Sequence, residues 1–208
     1  MNLHRLLQDR AVADNPIRVG IIGGGKFASM YLAQAPRTPG VQVAAIADRA
    51  PDKARGSLAR IGWPAERYAA PDYATAKRTG GTWITDDVDA LFDATDVEIV
   101  VDATGDAPAG VGHVRRACAS GKHIVMVNVE ADALCGPWLA EQARKAGIVY
   151  SLAYGDQPAL ICELVDWARA AGFSVVSAGR GHKWLPEYRR STPDTVWDHY
   201  GLTAEQAR

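Results

Sequence analysis

Between Ile17 and Gln34 the chain reads IRVGIIGGGKFASMYLAQ: an apolar run, three consecutive glycines, then a helical pattern. Glycine loses more backbone freedom on folding than any other residue, so three of them where a strand hands over to a helix need a reason. Aligned on the strand end, the loop is Gly23-Gly24-Gly25-Lys26-Phe27-Ala28, which is G-x-G-x-x-A. A phosphate-binding turn uses those types at that spacing. Gly23 permits the tight turn, Gly25 leaves bare backbone for a pyrophosphate, and Ala28 lets the helix sit against the strand. The helix that opens at Lys26 and Phe27 then offers unpaired N–H groups and the positive end of its dipole. A glycine-rich turn without a ligand is the competing reading. A P-loop is excluded, because no Gly-Lys-Ser/Thr follows.

The second half of the fingerprint lies further on. Asp48 ends the second apolar run 23 residues beyond Gly25, where a carboxylate accepts both ribose hydroxyls of NAD. Arg49 follows it, and Lys53 and Arg55 come a helical turn later. A guanidinium there pairs with a 2′-phosphate and stacks on adenine, which favours NADP(H), with NAD the alternative. Read otherwise, Arg49 is a surface charge.

Other polar loops follow later apolar runs, and in open α/β sheets ligands sit outside the carboxyl ends of the strands. Thr104 and Gly105 are placed to line the ribose and nicotinamide side, or else form an ordinary helix-capping turn. Asn128 and Glu130 fall where a nicotinamide ring would lie. Alternatively, Glu130 and Asp132 only supply acid to a helix N-terminus. Tyr154, Gly155 and Asp156 would face substrate, unless Asp156 simply caps the helix beginning near Pro158. His182 and Lys183, with Arg180, Arg189 and Arg190 nearby, are cations suited to a substrate phosphate or carboxylate, or a solvated basic surface. Glu130, Asp156, His182 and Lys183 are therefore the candidates for catalysis. His113 and His123 read as structural. No Ser/His/Asp arrangement, HExxH or metal-ligand spacing occurs.

These residues need a scaffold. Helical spacing predicts a short amphipathic helix over Asn2 to Ala13, packed on the outside of the domain. Strands are expected at Ile17 to Ile22, Val41 to Ala47, Thr82 to Thr85, Val97 to Asp102, His123 to Val129 and Ile148 to Ala153, with a further strand-like run at Phe173 to Ala178. Helices are expected at Lys26 to Ala35, Asp52 to Ile61, Tyr73 to Lys77, Val88 to Ala94, Pro108 to Ser120, Cys135 to Ala146 and Pro158 to Ala171. Gly121, Gly147 and Gly172 supply the C-terminal stops. The alternation implies a Rossmann-type, doubly wound α/β fold with a mostly parallel sheet and helices on both faces. After Gly179 the pattern ends in an irregular extension rich in Trp184, Tyr188, Trp197 and Tyr200. The expected division is a dinucleotide-binding domain over residues 1–179 and the start of another over 180–208.

With 208 residues the chain is long enough to build a core without disulfides. Its net charge of −1 gives no field that would favour nucleic acid or an anionic membrane. No apolar run approaches a membrane span, and the N-terminus does not read as a signal peptide. Cys118, Cys135 and Cys162 fit reduced, buried thiols of a cytoplasmic protein. The expected partners are a small-molecule substrate and a further copy of the chain.

The blocks "IAD", "TDDVDALFDATDVEIVVDATG" and "HIVMVNVEADALCG", taken with the glycine loop, resemble homoserine-dehydrogenase-like oxidoreductases. The stretch "GHKWLPEYRRSTPDTVWDHYGLT" is similar to a branch whose longer members carry a SAF domain and which includes deoxyxylulose-phosphate reductoisomerase-like enzymes. That resemblance implies NADPH, hydride transfer and a small, phosphorylated, sugar-like substrate. Homoserine dehydrogenases carry a lysine after the fifth strand, and here Asn128-Val129-Glu130 stands instead, which points to the reductoisomerase-like branch. The resemblance also implies a further catalytic and dimerising domain, so the chain reads as the front part of such an enzyme. A non-catalytic dinucleotide-binding or sensing module and a true homoserine dehydrogenase are the alternatives.

Overall fold

The computed structural model describes residues 2–179, 185–192, 194, 195 and 203. Expectations for Arg180, His182, Lys183, Trp184, Trp197 and Tyr200 lie outside the described residues. The chain divides into two compact units, Met1–Ala159 and Leu160–Arg208.

The first unit is built on six parallel strands: β1 (Ile17–Ile22), β2 (Val41–Ala47), β3 (Trp83–Thr85), β4 (Ile99–Asp102), β5 (His123–Met126) and β6 (Tyr150–Leu152). Their order is β3-β2-β1-β4-β5-β6, and every neighbouring pair is parallel. The direction of winding reverses between β1 and β4, so a crevice opens above the carboxyl ends of those two strands. The helices are α1 (Leu3–Val12), α2 (Lys26–Gln34), α3 (Pro51–Arg60), α4 (Tyr73–Thr79), α5 (Val88–Asp93), α6 (Ala107–Ser120), α7 (Val129–Ala146) and α8 (Gln157–Ala170). This is the Rossmann-type fold that the alternating pattern implied.

Two apolar clusters cover the two faces of the sheet. One joins Val19, Ile21, Val43 and Ile46 of the strands to Leu32 of α2 and Leu58 of α3. The other joins Ile22, Val100, Ile124 and Met126 to Leu91 of α5, Val114 of α6 and Leu139 of α7. The β1–β2 register shifts between Val19 and Gly20. Gly20 also lies beneath Leu91, whose Cδ2 would be 2.9 Å from a Cβ at that position, so a larger residue would have to displace the Leu91 side chain.

Several elements depart from expectation. Residues 173–179 form no strand; Phe173 is 64% and Val176 97% exposed, so the apolar run finds no sheet edge to join. Helix α7 begins at Val129, not Cys135, because Asn128 caps it and a non-helical Cys135 (φ −154°, ψ 30°) kinks it before Pro137. Proline there lacks an N–H and crowds the preceding turn, which made the sequence read as a later start. Helix α1 buries none of its residues. It is held by an Arg10–Glu98 ion pair (3.3 Å) and by Leu7, whose carbonyl would collide with any Cβ at Gly40. Cys162 is exposed and Cys118 and Cys135 are half-buried, which corrects the expectation of three buried thiols. No helix among the described residues is long and apolar enough to cross a membrane.

Candidate functional site

The glycine loop has the backbone that the motif demands. Gly23 sits at φ +92°, and its N–H donates to the Ala47 carbonyl at 2.8 Å. A Cβ at Gly23 would lie 3.0 Å from the Ala103 carbonyl oxygen, whereas a Cβ at Gly25 would meet nothing within 4 Å. Gly25 is therefore bare backbone beside open space. It is also the N-cap of α2, and no side chain caps that helix. By contrast Asp72, Asp87, Asp106 and Asn128 cap α4 to α7 with their side chains, and α3 opens with a proline that has no N–H to satisfy. The first turn of α2 is left with amide donors and a positive dipole end facing free volume.

Asp48 is fixed at the end of β2. Its Oδ2 accepts from Gly24 N (2.6 Å) and its Oδ1 from Ala50 N (2.8 Å). The carboxylate stands between two clefts. One, of about 350 Å³, is lined by Gly23 and Gly25, by Ala47, Asp48 and Arg49, by Asp86 and Val88, and by Thr104, Asp106, Ala109 and His113. The other is more open and lies between α2 and α3, with Lys26, Ser29, Lys53, Ser57 and Arg60 on its walls. Arg55 is engaged by Asp52 at 3.0 Å. Among the described residues Arg49 and Lys53 form no ion pair, so both are available to an anion.

A polar network underlies the first cleft. Asp102, at the end of β4, is fully buried. Its Oδ1 accepts from Thr104 N (3.0 Å) and Thr104 Oγ1 (2.8 Å), and its Oδ2 lies 2.8 Å from His113 Nδ1. Burial pushes the Asp102 carboxyl up, but the hydrogen bonds from His113 and Thr104 outweigh it and hold the group below the usual carboxylate range. Asp102 is thus an anion, so His113 Nδ1 carries the proton and donates it. Asn128 closes the network: its amide donates to Thr104 Oγ1 (3.1 Å) and the Asp106 carbonyl (2.8 Å), while its Oδ1 accepts from Ala131 N (3.1 Å).

The residues singled out from sequence therefore separate. Gly23, Gly25, Asp48, Arg49 and Thr104 share one cleft, and Lys26 lies in the other. Ala28 is buried against the sheet, and Phe27 is partly exposed in the first turn of α2. Asn128, only 1% exposed, spends its amide on the protein and ties the loops after β4 and β5 together. Glu130 is exposed, near the open side of Gly105, where a Cβ would be 4.0 Å from Glu130 Oε2. Asp156 accepts from Gln157 N at 2.8 Å, at the start of α8. Asp132 accepts the Tyr150 hydroxyl at 2.8 Å; burial first, and that carboxylate second, push the phenol far above its ordinary range.

Sequence reasoning missed Asp102 and His113 as site residues. Their signal was faint: an aspartate at a strand end and a histidine 11 residues later, joined only once α6 folds back along β4.

Comparison with known families agrees with this geometry. Residues 19–152 match the model of the homoserine dehydrogenase NAD-binding domain, and residues 155–208 match that of the catalytic domain of oxidoreductase DRL. No curated protein matches. Among solved structures, a homoserine dehydrogenase from Thiobacillus denitrificans is 23% identical (TM-score 0.52), over 66% of this chain and 29% of its own. An NAD-binding oxidoreductase from Klebsiella pneumoniae is 18% identical (TM-score 0.51), over 76% and 39%. A 3-ketoreductase from Actinomadura kijaniata, in complex with TDP-benzene and NADP, is 24% identical (TM-score 0.50), over 75% and 44%. The chain thus spans less than half the length of each, and at these identities the likeness is one of fold. The glycine loop, the acidic end of β2 and the capped loops after β4 and β5 all fall inside the first matched stretch, and by that match the chain belongs to the homoserine dehydrogenase NAD-binding domain family.

Proposed function

We propose that the chain binds a nicotinamide dinucleotide, NADP(H) in preference to NAD(H), and acts as an oxidoreductase on a small carbonyl or hydroxy substrate. The observation that carries this reading is Gly25, bare backbone at the uncapped N-terminus of α2, facing open volume. A pyrophosphate fits that cradle through backbone N–H groups and the helix dipole. Asp48 would accept from the adenosine ribose. Arg49 and Lys53 flank it and would pair with a 2′-phosphate. Thr104, held by Asp102, and Gly105 line the way to the nicotinamide end, where Glu130 would orient the ring or the substrate.

When bound, the dinucleotide supplies hydride transfer to or from a carbonyl carbon. The protein holds it in place and keeps the loops after β4 and β5 rigid through the Asp102–Thr104–Asn128 network. The match of residues 155–208 to an oxidoreductase catalytic domain supports a substrate of the reductoisomerase-like kind, small and phosphorylated. Asp156 is the catalytic candidate that falls inside that segment among the described residues.

The test is a titration with NADPH and NADH, followed by quenching of the six tryptophans. Arg49→Ala should weaken NADPH by about 10-fold, the worth of one charge-assisted contact, and leave NADH nearly unchanged. Equal loss for both would remove the preference for NADP(H). No binding of either would remove the whole assignment.

A further inference from the structure

We infer that His113 reads the adenine base, its Nε2 accepting a hydrogen bond from the exocyclic amino group. The inference rests on the dinucleotide reading and goes beyond it, because it assigns base recognition to a residue outside the fingerprint.

The argument starts from the tautomer. With Nδ1 donating to the Asp102 carboxylate at 2.8 Å, Nε2 is the nitrogen left over, and in that tautomer it carries the lone pair. The side chain is 7% exposed, and what is exposed lines the cleft. Among the described residues no protein group hydrogen-bonds Nε2. Nε2 is thus the one polar atom of a largely buried side chain that the protein leaves to a group in the cleft.

The walls of the cleft say which part of the dinucleotide that is. Ala47, Asp48 and Arg49 come from the end of β2, and Asp86 and Val88 from the segment after β3. These walls belong to the β3–β2 side of the sheet, the side of Asp48 and the adenosine ribose, while Ala103, Thr104, Asp106 and Ala109 close the same cleft from the β4–α6 side. Val88, Ala109 and the Ile22 end of β1 give it apolar surfaces for a flat ring. The ribose hydroxyls belong to Asp48, at the cleft mouth. The base itself offers N1, N3 and N7 as acceptors and only the 6-amino group as a donor. An acceptor at the cleft wall therefore has one partner on adenine, and on hypoxanthine it faces a carbonyl oxygen in the same place. Asp102 acts through His113 here as a positioning residue, because it fixes which nitrogen carries the proton.

The experiment compares NADPH and NADH with their hypoxanthine analogues, which share ribose, phosphates and nicotinamide, by tryptophan quenching at neutral pH. The wild-type chain should bind the adenine form about 10-fold tighter or more, since a site built around a donor rejects the analogue that lacks it. In His113→Phe, which keeps a flat ring and has no acceptor, the two forms should bind within about 3-fold of each other. A merely structural histidine would weaken both forms alike and leave their ratio untouched. If His113→Phe does not fold, His113→Leu, which also lacks an acceptor, is read in the same way. Equal affinity of the wild type for both bases overturns the role of His113 and leaves dinucleotide binding standing. Failure to bind either base form overturns both.

Discussion

At the scale of single residues, Gly23 and Gly25 have opposite duties. Gly23 is needed for folding: at φ +92°, with the Ala103 carbonyl 3.0 Å from where a Cβ would stand, Gly23→Ala should cost about 2 kcal/mol in urea unfolding. Gly25 is needed for a ligand. Its φ of −73° suits any residue, so Gly25→Ala should leave the unfolding midpoint unchanged and lower dinucleotide affinity about 10-fold. Loss of stability at both positions, with no selective loss of binding at Gly25, would contradict the phosphate cradle. Asp102 gives a prediction in pH. Its folded pKa is depressed, so the unfolded chain holds the extra proton, and the stabilisation is complete above the ordinary carboxylate pKa and is lost as pH falls below about 4. Asp102→Asn should cost about 3 kcal/mol at neutral pH, and its deficit against wild type should shrink steadily in acid; a constant deficit would mean that the carboxylate is not charged in the fold. The glycine loop and Asp48 were legible in sequence because their chemistry is local and spaced. The duties of Asn128 and His113 were not, because each depends on Asp102, 26 and 11 residues away, across an interface that only the folded chain makes.

At the scale of elements, capping shows where the chain finishes its own hydrogen bonding and where it leaves work for something else. Side chains of Asp72, Asp87, Asp106 and Asn128 satisfy four consecutive helix starts, and α2 alone of the helices flanking β1 opens on a bare glycine. The strands were readable as apolar runs because a parallel sheet buries both faces. Residues 173–179 have the same composition without a partner strand, and so remained ambiguous. One tie between elements had no sequence signal at all. Lys122, only 4% exposed, donates its ammonium to the Ala94 and Val97 carbonyls at 2.6 and 3.0 Å. It thereby closes the turn between α5 and β4 over the start of β5. Burial lowers its pKa, with Asp96 and Asp93 pulling the other way. Lys122→Met keeps the apolar stem and removes the charge, and it leaves a buried carbonyl without its donor. We expect a loss of about 2 kcal/mol by urea unfolding, with dinucleotide affinity unchanged because the tie lies at the opposite, amino end of the sheet. An unaltered midpoint would show that water replaces the ammonium.

At the scale of the whole molecule, the six strands, both apolar clusters and the two clefts beside Asp48 all lie within Met1–Ala159. Among the described residues, none that lines the two clefts lies beyond Ala159. Substrate recognition has no such completeness: Asp156 sits at the edge of the first unit, and the stretch that matches an oxidoreductase catalytic domain begins at residue 155. On the proposed reading the two tasks fall on different lengths of chain, and shortening the chain separates them. A chain ending at Gly179 retains the whole sheet and α8. It should unfold in one cooperative step and bind NADPH within about 3-fold of the full chain, because none of the described lining residues has been removed. Hydride transfer to a carbonyl substrate, in contrast, should be lost with residues 180–208 of the matched segment. Dinucleotide affinity that falls together with the truncation would place part of the cofactor site beyond Gly179, and the division of labour argued from the sheet and its clefts would have to be redrawn.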